Sequence, residues 1–287
     1  MGLRFLVIEG NTRADREKHC SVFGLTPSDS YAEVVRGLSP GAICDIACPA
    51  DEGSNIPDRG GLAGYDGIFL TGSALNIYDA TPPIMRQVSL MRAIYASQTP
   101  CFGSCWGLQV AAVAAGGDVR INGKGREIGF ARNIAPTPEG RAHAMLAGRP
   151  AAFDAPAVHL DTITVPPPGA TVLAANALTQ VQAAEIVHEG GCFWGVQYHP
   201  EFDLRELSVI LERLSARLVE EGFCSTREDA AALVRDLETL HRDPARTDLA
   251  WRYGLDAQVL DPALRLTEIA NFVAHRVEPG KSGRSRA

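Results

Sequence analysis

Gly103-Ser104-Cys105-Trp106-Gly107-Leu108-Gln109 follows the apolar run Thr99-Pro100-Cys101-Phe102 and precedes an alanine-rich segment that runs into Gly116-Gly117. The pattern reads as a strand ending at Phe102, a tight turn, and a helix from about Trp106 to Ala115. Glycines at 103 and 107 permit a strained turn and close approach of the backbone to a neighbour. Cys105 then stands at a helix N-terminus, where the macrodipole and unpaired N–H groups favour a thiolate. The Trp106 amide points toward the oxyanion that attack by Cys105 would create. A nucleophile and a buried thiol beside a helix cap both fit this stretch alone, so partners elsewhere in the chain must decide.

Those partners stand downstream. Phe193 to Tyr198 reads as a strand ending in His199-Pro200-Glu201. Proline stops the ladder, and two residues apart on an extended segment His199 and Glu201 project the same way. An imidazole can then serve as base toward Cys105 while a carboxylate holds its tautomer. Taken separately, a surface-turn histidine and a helix N-terminal acid would explain the pair; their coincidence with the cysteine turn favours chemistry. A third piece, Phe69-Leu70-Thr71-Gly72-Ser73-Ala74, is a strand end opening into a small-residue loop, at the sheet edge where ligands bind.

Working outward, Phe5–Ile8, Ala42–Ala47, Gly67–Thr71 and Thr99–Phe102 are short apolar runs. Helical patterns over about Asp29–Leu38 and Pro83–Ser97 lie between them. Such alternation predicts a parallel sheet covered on both faces. From Arg126 to Trp194, alternating segments at Ile128–Arg132, His159–Ile163 and Val181–Ile186 predict antiparallel or edge strands, so the sheet is mixed. The fold class is α/β: a flavodoxin-like three-layer, mixed and mainly parallel sheet with helices on both faces, plus a small helical extension. The domain of residues 1–204 is expected to be followed by the extension over 205–277 and a disordered tail over 278–287. In the extension, Leu207, Ile210, Leu211, Leu214 and Leu218 share a helical face; Ser225-Thr226-Arg227-Glu228 reads as a capping box; and Asp261-Pro262 opens a third helix to about His275.

With 27 basic against 34 acidic residues the net charge is −7, which argues against a nucleic-acid partner. No apolar run reaches membrane-spanning length, and the start of the chain lacks a signal-peptide pattern. Seven cysteines at irregular spacing suit a reducing compartment, and a cytoplasmic location is expected. Cys44-x-x-x-Cys48 has no second ligand pair at finger-like spacing, so no metal is expected.

With these pieces in place, the chain resembles the class I (triad-type) glutamine amidotransferase family, in particular the glutaminase half of GMP synthases. Gly103-x-Cys105-x-Gly107-x-Gln109 and His199-Pro200-Glu201 match the two signature motifs in order and separation; Arg126-Glu127-Ile128-Gly129 and His159-Leu160-Asp161 match further landmarks. The resemblance covers roughly Leu3 to Asp203. It implies that Cys105 is the nucleophile, His199 the general base and acid, and Glu201 its orienting partner. It further implies an oxyanion hole from the Ser73 and Trp106 amides, and substrate contacts from Gly72, Gln109 and the backbone near His159 and Leu160. One departure is the loop itself, Thr71-Gly72-Ser73-Ala74 where the relatives usually read Ser-Gly-Gly-Pro. A second is that neither a Ser-Gly-Gly-x-Asp-Ser loop nor G-x-x-x-x-G-K-[ST] occurs, so no ATP-using acceptor domain and no cofactor are expected.

Two activities fit. The leading one is a glutaminase that supplies ammonia to a separate ATP-dependent synthetase. The alternative is a standalone hydrolase of γ-glutamyl amides or peptides using the same triad. A non-catalytic relic of the fold fits poorly with an intact Cys105, His199 and Glu201. The helical extension is expected to pack on the sheet domain; a docking platform or homodimer interface is its second reading.

Overall fold

Short apolar runs bounded by turn residues form the strands of the central sheet in the computed structural model, which describes residues 2–280. The strands are β1 (Arg4–Ile8), β2 (Ile43–Ala47), β3 (Gly67–Leu70), β4 (Cys101–Ser104), β5 (Asp118–Ile121), β6 (Glu127–Pro136), β7 (Phe153–His159), β8 (Asp161–Val165), β9 (Ala170–Ala175), β10 (Ala183–His188) and β11 (Gly191–Val196). Nine of them form one sheet in the order β2-β1-β3-β4-β11-β10-β9-β6-β7. From β2 to β11 every neighbour is parallel; from β11 to β7 every neighbour is antiparallel. The sheet therefore divides evenly at β11, which belongs to both halves.

In the parallel half both faces are buried. Leu6, Ile8, Ile68, Leu70 and Phe193 pack against Ile84, Val88 and Met91 of the Pro82–Ser97 helix and Val110 and Ala111 of the Trp106–Ala114 helix. Phe5, Val7, Phe69, Phe102 and Trp194 face the other way, toward Tyr31 and Val35 of the Pro27–Leu38 helix. Phe272, from the far end of the chain, completes this second layer: its ring centroid lies 5.4 Å from Phe69 and 5.6 Å from Phe102. Burying one such phenylalanine contributes roughly 1.5–3 kcal/mol.

The extension packs in two different ways. Leu204 to Leu260 builds its own apolar cluster around Leu207, Leu211, Leu237 and Val259. Ile269, Phe272, Val273 and Val277 instead join the core of the sheet. Glu278 to Gly280 continue in helical backbone, and residues 281–287 of the expected tail lie outside those described.

Several local expectations shift. The helix Arg13–Phe23 carries no clear hydrophobic periodicity, because only His19 and Phe23 of its residues are buried. Its ends are legible nonetheless: Thr12 caps the start by accepting from the Asp15 amide, and Gly24 closes it at φ 98°. The segment His159–Ile163 is not one strand. The chain bends at Leu160, whose carbonyl accepts from the Asn122 amide, and β8 leaves the main sheet to pair with β5. The capping box sits one residue later than expected, between Thr226 and Asp229. After Asp261 the chain forms short helical pieces, Pro262–Arg265 and Thr267–Phe272 followed by a π-type turn over Val273–Val277, instead of one helix.

Candidate active site

Val196 of β11 lies opposite Ser104 of β4, so the chain leaves both strands at the same rim. Cys105 follows at once with φ 51° and ψ −99°, a backbone state that costs a non-glycine residue on the order of 1–3 kcal/mol. Its amide donates to the Val196 carbonyl at 2.7 Å, which ties the turn to β11. A Cβ at Gly103 would stand 2.9 Å from the Gly107 Cα, and one at Gly107 would stand 2.9 Å from the Leu70 Cβ. Both glycines are needed because the start of the helix is pressed onto β3 and β4.

His199 and Glu201 arrive from β11. The His199 amide donates to the Pro156 carbonyl at 2.7 Å, and its Nδ1 lies 2.7 Å from Glu201 Oε1. With Nδ1 so committed, the ring's other nitrogen is left for the Cys105 thiol, with which the imidazole shares a hydrogen bond. Phe202 stacks on the imidazole at 4.0 Å between centroids, with 4° between the planes. Gly72 closes against the ring: a Cβ there would fall 2.5 Å from His199 Cε1. Burial alone would lower the His199 pKa, but the Glu201 charge and the Cys105 hydrogen bond outweigh it, and the imidazole is pushed up to about 10. The imidazolium is therefore the favoured form near neutral pH.

Glu201 is held in turn. Its Oε2 accepts from Ser104 Oγ at 2.8 Å, and the Tyr31 hydroxyl lies 3.3 Å from that Oγ. Burial pushes the Tyr31 phenol well above its usual range, so it remains a neutral group. Neither residue is assigned a role by the sequence. Ser104 occupies the open position between Gly103 and Cys105, and nothing local marks it as the carboxylate's support.

The loop after β3 is fixed from several sides. Gly10 N donates to Thr71 Oγ1 at 2.9 Å, Asn11 Nδ2 to the Gly72 carbonyl at 3.2 Å, and Ala74 N to Asn11 Oδ1 at 3.1 Å. Trp106 Nε1 donates to Gln87 Oε1 at 2.7 Å, and Gln87 donates back to the Gly10 carbonyl at 3.0 Å. Among the described residues the Ser73 and Trp106 amides have no protein acceptor. Asn11 and Gln87 thus replace, by side-chain hydrogen bonds, the stiffness that a Gly-Pro loop would have had.

Gln109, on the first turn of the helix, reaches the Asp161 carbonyl at 3.4 Å and Gln197 Oε1 at 3.3 Å. The His159 ring is committed away from a substrate role, since Nε2 lies 3.0 Å from Glu127 Oε2 and Nδ1 3.0 Å from the Asp161 carbonyl. Glu127 also accepts from Asn176, Thr179 and Gln182, and it anchors this buried network. A cavity of about 390 Å³ joins these parts; Gly72, Ser73, Cys105, Gln109, Leu160 and His199 all contribute to its wall.

A family model described as glutamine amidotransferase class-I matches residues 44–215. The chain belongs to this family. Its relatives include a γ-glutamyl-L-1-hydroxyisopropylamide hydrolase from a Pseudomonas species, 36% identical across 96% of this chain and 94% of that protein. The GMP synthase of Leifsonia xyli is 34% identical over 47% of the chain, and the match spans 25% of that enzyme. Gamma-glutamyl peptidase 3 of Arabidopsis thaliana is 27% identical over 61% of the chain and 72% of the relative. Among solved structures, a glutamine amidotransferase from Thermotoga maritima superposes over 97% of this chain and 99% of its own, with a TM-score of 0.67 at 18% identity, which shows the shared fold. As a member of the class-I family with a hydrolase relative matched along nearly all of its length, the protein is an amide-hydrolysing enzyme.

Proposed function

We propose that the protein hydrolyses N-substituted γ-glutamyl amides, releasing glutamate and a small amine without passing ammonia to a synthetase. The observation that carries this reading is the likeness to the γ-glutamyl-L-1-hydroxyisopropylamide hydrolase, which extends over 96% of the chain and so includes the helical extension. Room for an amine substituent supports it: the cavity continues past His199 to Phe202, Ile210 and Leu214.

Cys105 is the nucleophile in this reading. Its sulfur forms a bond to the γ-carbonyl carbon while the carbonyl π electrons move to oxygen, and the Ser73 and Trp106 amides receive the oxyanion. The His199 imidazolium gives its proton to the amide nitrogen, the C–N bond breaks, and the neutral amine leaves a γ-glutamyl thioester. His199 then takes a proton from water, whose oxygen adds to the thioester carbon and expels the sulfur. Glu201 holds Nδ1 throughout, and Gln109 with the backbone of His159 and Leu160 lines the acyl end. The location we assign is cytoplasmic, supported by seven free cysteines at irregular spacing, which suit a reducing compartment. Among the described residues no helix is long and apolar enough to cross a membrane.

A second reading, a glutaminase feeding a separate synthetase, has its own support. The relatives include the glutamine-hydrolysing component of a GMP synthase from Methanothrix thermoacetophila, 32% identical over 47% of the chain and 67% of that relative. Steady-state kinetics on purified protein separate the two. A kcat/KM for γ-glutamyl hydroxyalkylamides about 100-fold above that for glutamine is expected, the scale at which an acceptor site discriminates by added contacts. Preference for glutamine, with turnover raised by a co-purifying ATP-binding protein, would reverse the choice.

A further inference from the structure

Between His199 and Glu201, the Pro200 residue is buried and its carbonyl needs a donor. That donor comes from the extension. Arg265, 7% exposed, places Nε 3.3 Å from the Pro200 oxygen and Nη1 3.2 Å from the Val259 carbonyl. Glu201, Asp203 and Asp261 are the acids whose charge acts on this guanidinium. The residue before His199 is gripped as well: the Tyr198 hydroxyl donates to Glu268 Oε1 at 2.9 Å. Glu268 is held by Arg149 through two contacts of 2.7 Å, and Arg149 also donates to the Arg265 carbonyl at 3.1 Å. The side chains of Arg149 and Glu268 are 1% and 0% exposed.

A buried ion pair of this kind adds little net stability, because desolvation offsets the attraction, yet it tolerates only one geometry. Here that geometry is applied on both sides of His199. We infer that Arg265 is a positioning residue for the reaction: it fixes the Pro200 carbonyl so that the His199 imidazole and the Glu201 carboxylate stay in register with Cys105. The extension therefore completes the active site from behind, in addition to covering the sheet. The inference rests on the assignment of His199 and Glu201 as catalytic.

The test counts competent sites by stoichiometric alkylation of Cys105 and reports kcat per titrated site. Arg265→Gln is expected to lose about 10- to 100-fold in kcat per site, with KM within about threefold of wild type, as misplacement by a fraction of an ångström would produce. Arg252→Ala, which breaks an exposed contact to Asp236 in the same extension, should leave kcat per site unchanged. If Arg265→Gln lowers only the number of sites or the melting temperature, the role is structural and the inference is overturned. Should that variant not fold, Arg265→Lys keeps the charge but not the forked donor geometry, and must show the same split at smaller size. Wild-type kcat per site in that variant is likewise fatal. His199→Ala serves as the separate control: full activity there removes the catalytic assignment itself, whereas an inactive His199→Ala beside a fully active Arg265→Gln removes only this inference.

Discussion

The two ends of β4 carry a cysteine each, and they differ in everything but residue type. Cys101, at the start of the strand, is 1% exposed among Ile68, Phe193 and the helices over that face; burial pushes its thiol well above the usual range. Its sulfur lies 4.0 Å from the Phe102 carbonyl, a weak polar contact. Cys105, just beyond the other end, is nearly as buried at 5%, but it opens on a cavity, meets an imidazole and begins a helix. Exposure alone does not separate them. What separates them is which end of a parallel strand they occupy: helix N-termini and crossing loops gather at the carboxyl ends, while the opposite ends are closed by packing.

The strongest way to break this comparison is to truncate both thiols. Cys105→Ala should cut amide hydrolysis by at least about 1,000-fold, the scale for a lost nucleophile, with the fold intact. Cys101→Ala should keep near-wild-type kcat. Comparable losses in the two variants, measured on the same γ-glutamyl amide, would mean that the strand end is not what matters. A smaller effect, about 100-fold in kcat, is expected for Gly72→Ala, whose Cβ would land 2.5 Å from His199 Cε1 and push the ring off the sulfur. A crystal structure of that variant with the His199–Glu201 contact unchanged would contradict this account.

The gentlest probe is pH. The His199 pKa rises from 6.5 in the unfolded chain to about 10 in the fold, so the protonated form is the one that folding favours. The stabilisation is therefore fully present below about pH 6.5 and fades as pH climbs through about 10. Melting temperatures taken between pH 7 and 11 should fall more steeply for the wild type than for His199→Ala. Parallel curves would show that the imidazolium contributes nothing to stability. Cys101, whose thiol meets no imidazole, offers no counterpart to this behaviour.

Legibility along the chain follows how local the cause is. The elbow at 103–109 is readable because glycine spacing reports a backbone clash directly: the contacts of Gly103 and Gly107 come from adjacent strands that the same motif implies. His199-Pro200-Glu201 is readable because proline and a two-residue repeat fix direction. The helix Arg13–Phe23 escapes for the opposite reason: it buries little, so its hydrophobic pattern is faint, and only its caps reveal it. The continuous strand expected across His159–Ile163 fails at Leu160, where a hydrogen bond from Asn122 redirects the chain into the small sheet. No alternation of side chains records such a bond.

By itself the sequence determined the two backbone devices of the site, a strained cysteine turn and a proline-stopped strand end, since glycine and proline act on the torsions of their own neighbours. Tertiary structure decided which groups support them. Ser104 reaches Glu201 across 97 residues, Arg265 reaches Pro200 across 65, and Tyr198 reaches Glu268 across 70. Those meetings depend on how layers stack and where a buried donor finds its acceptor, a condition set by packing over the whole molecule that no short stretch of chain encodes.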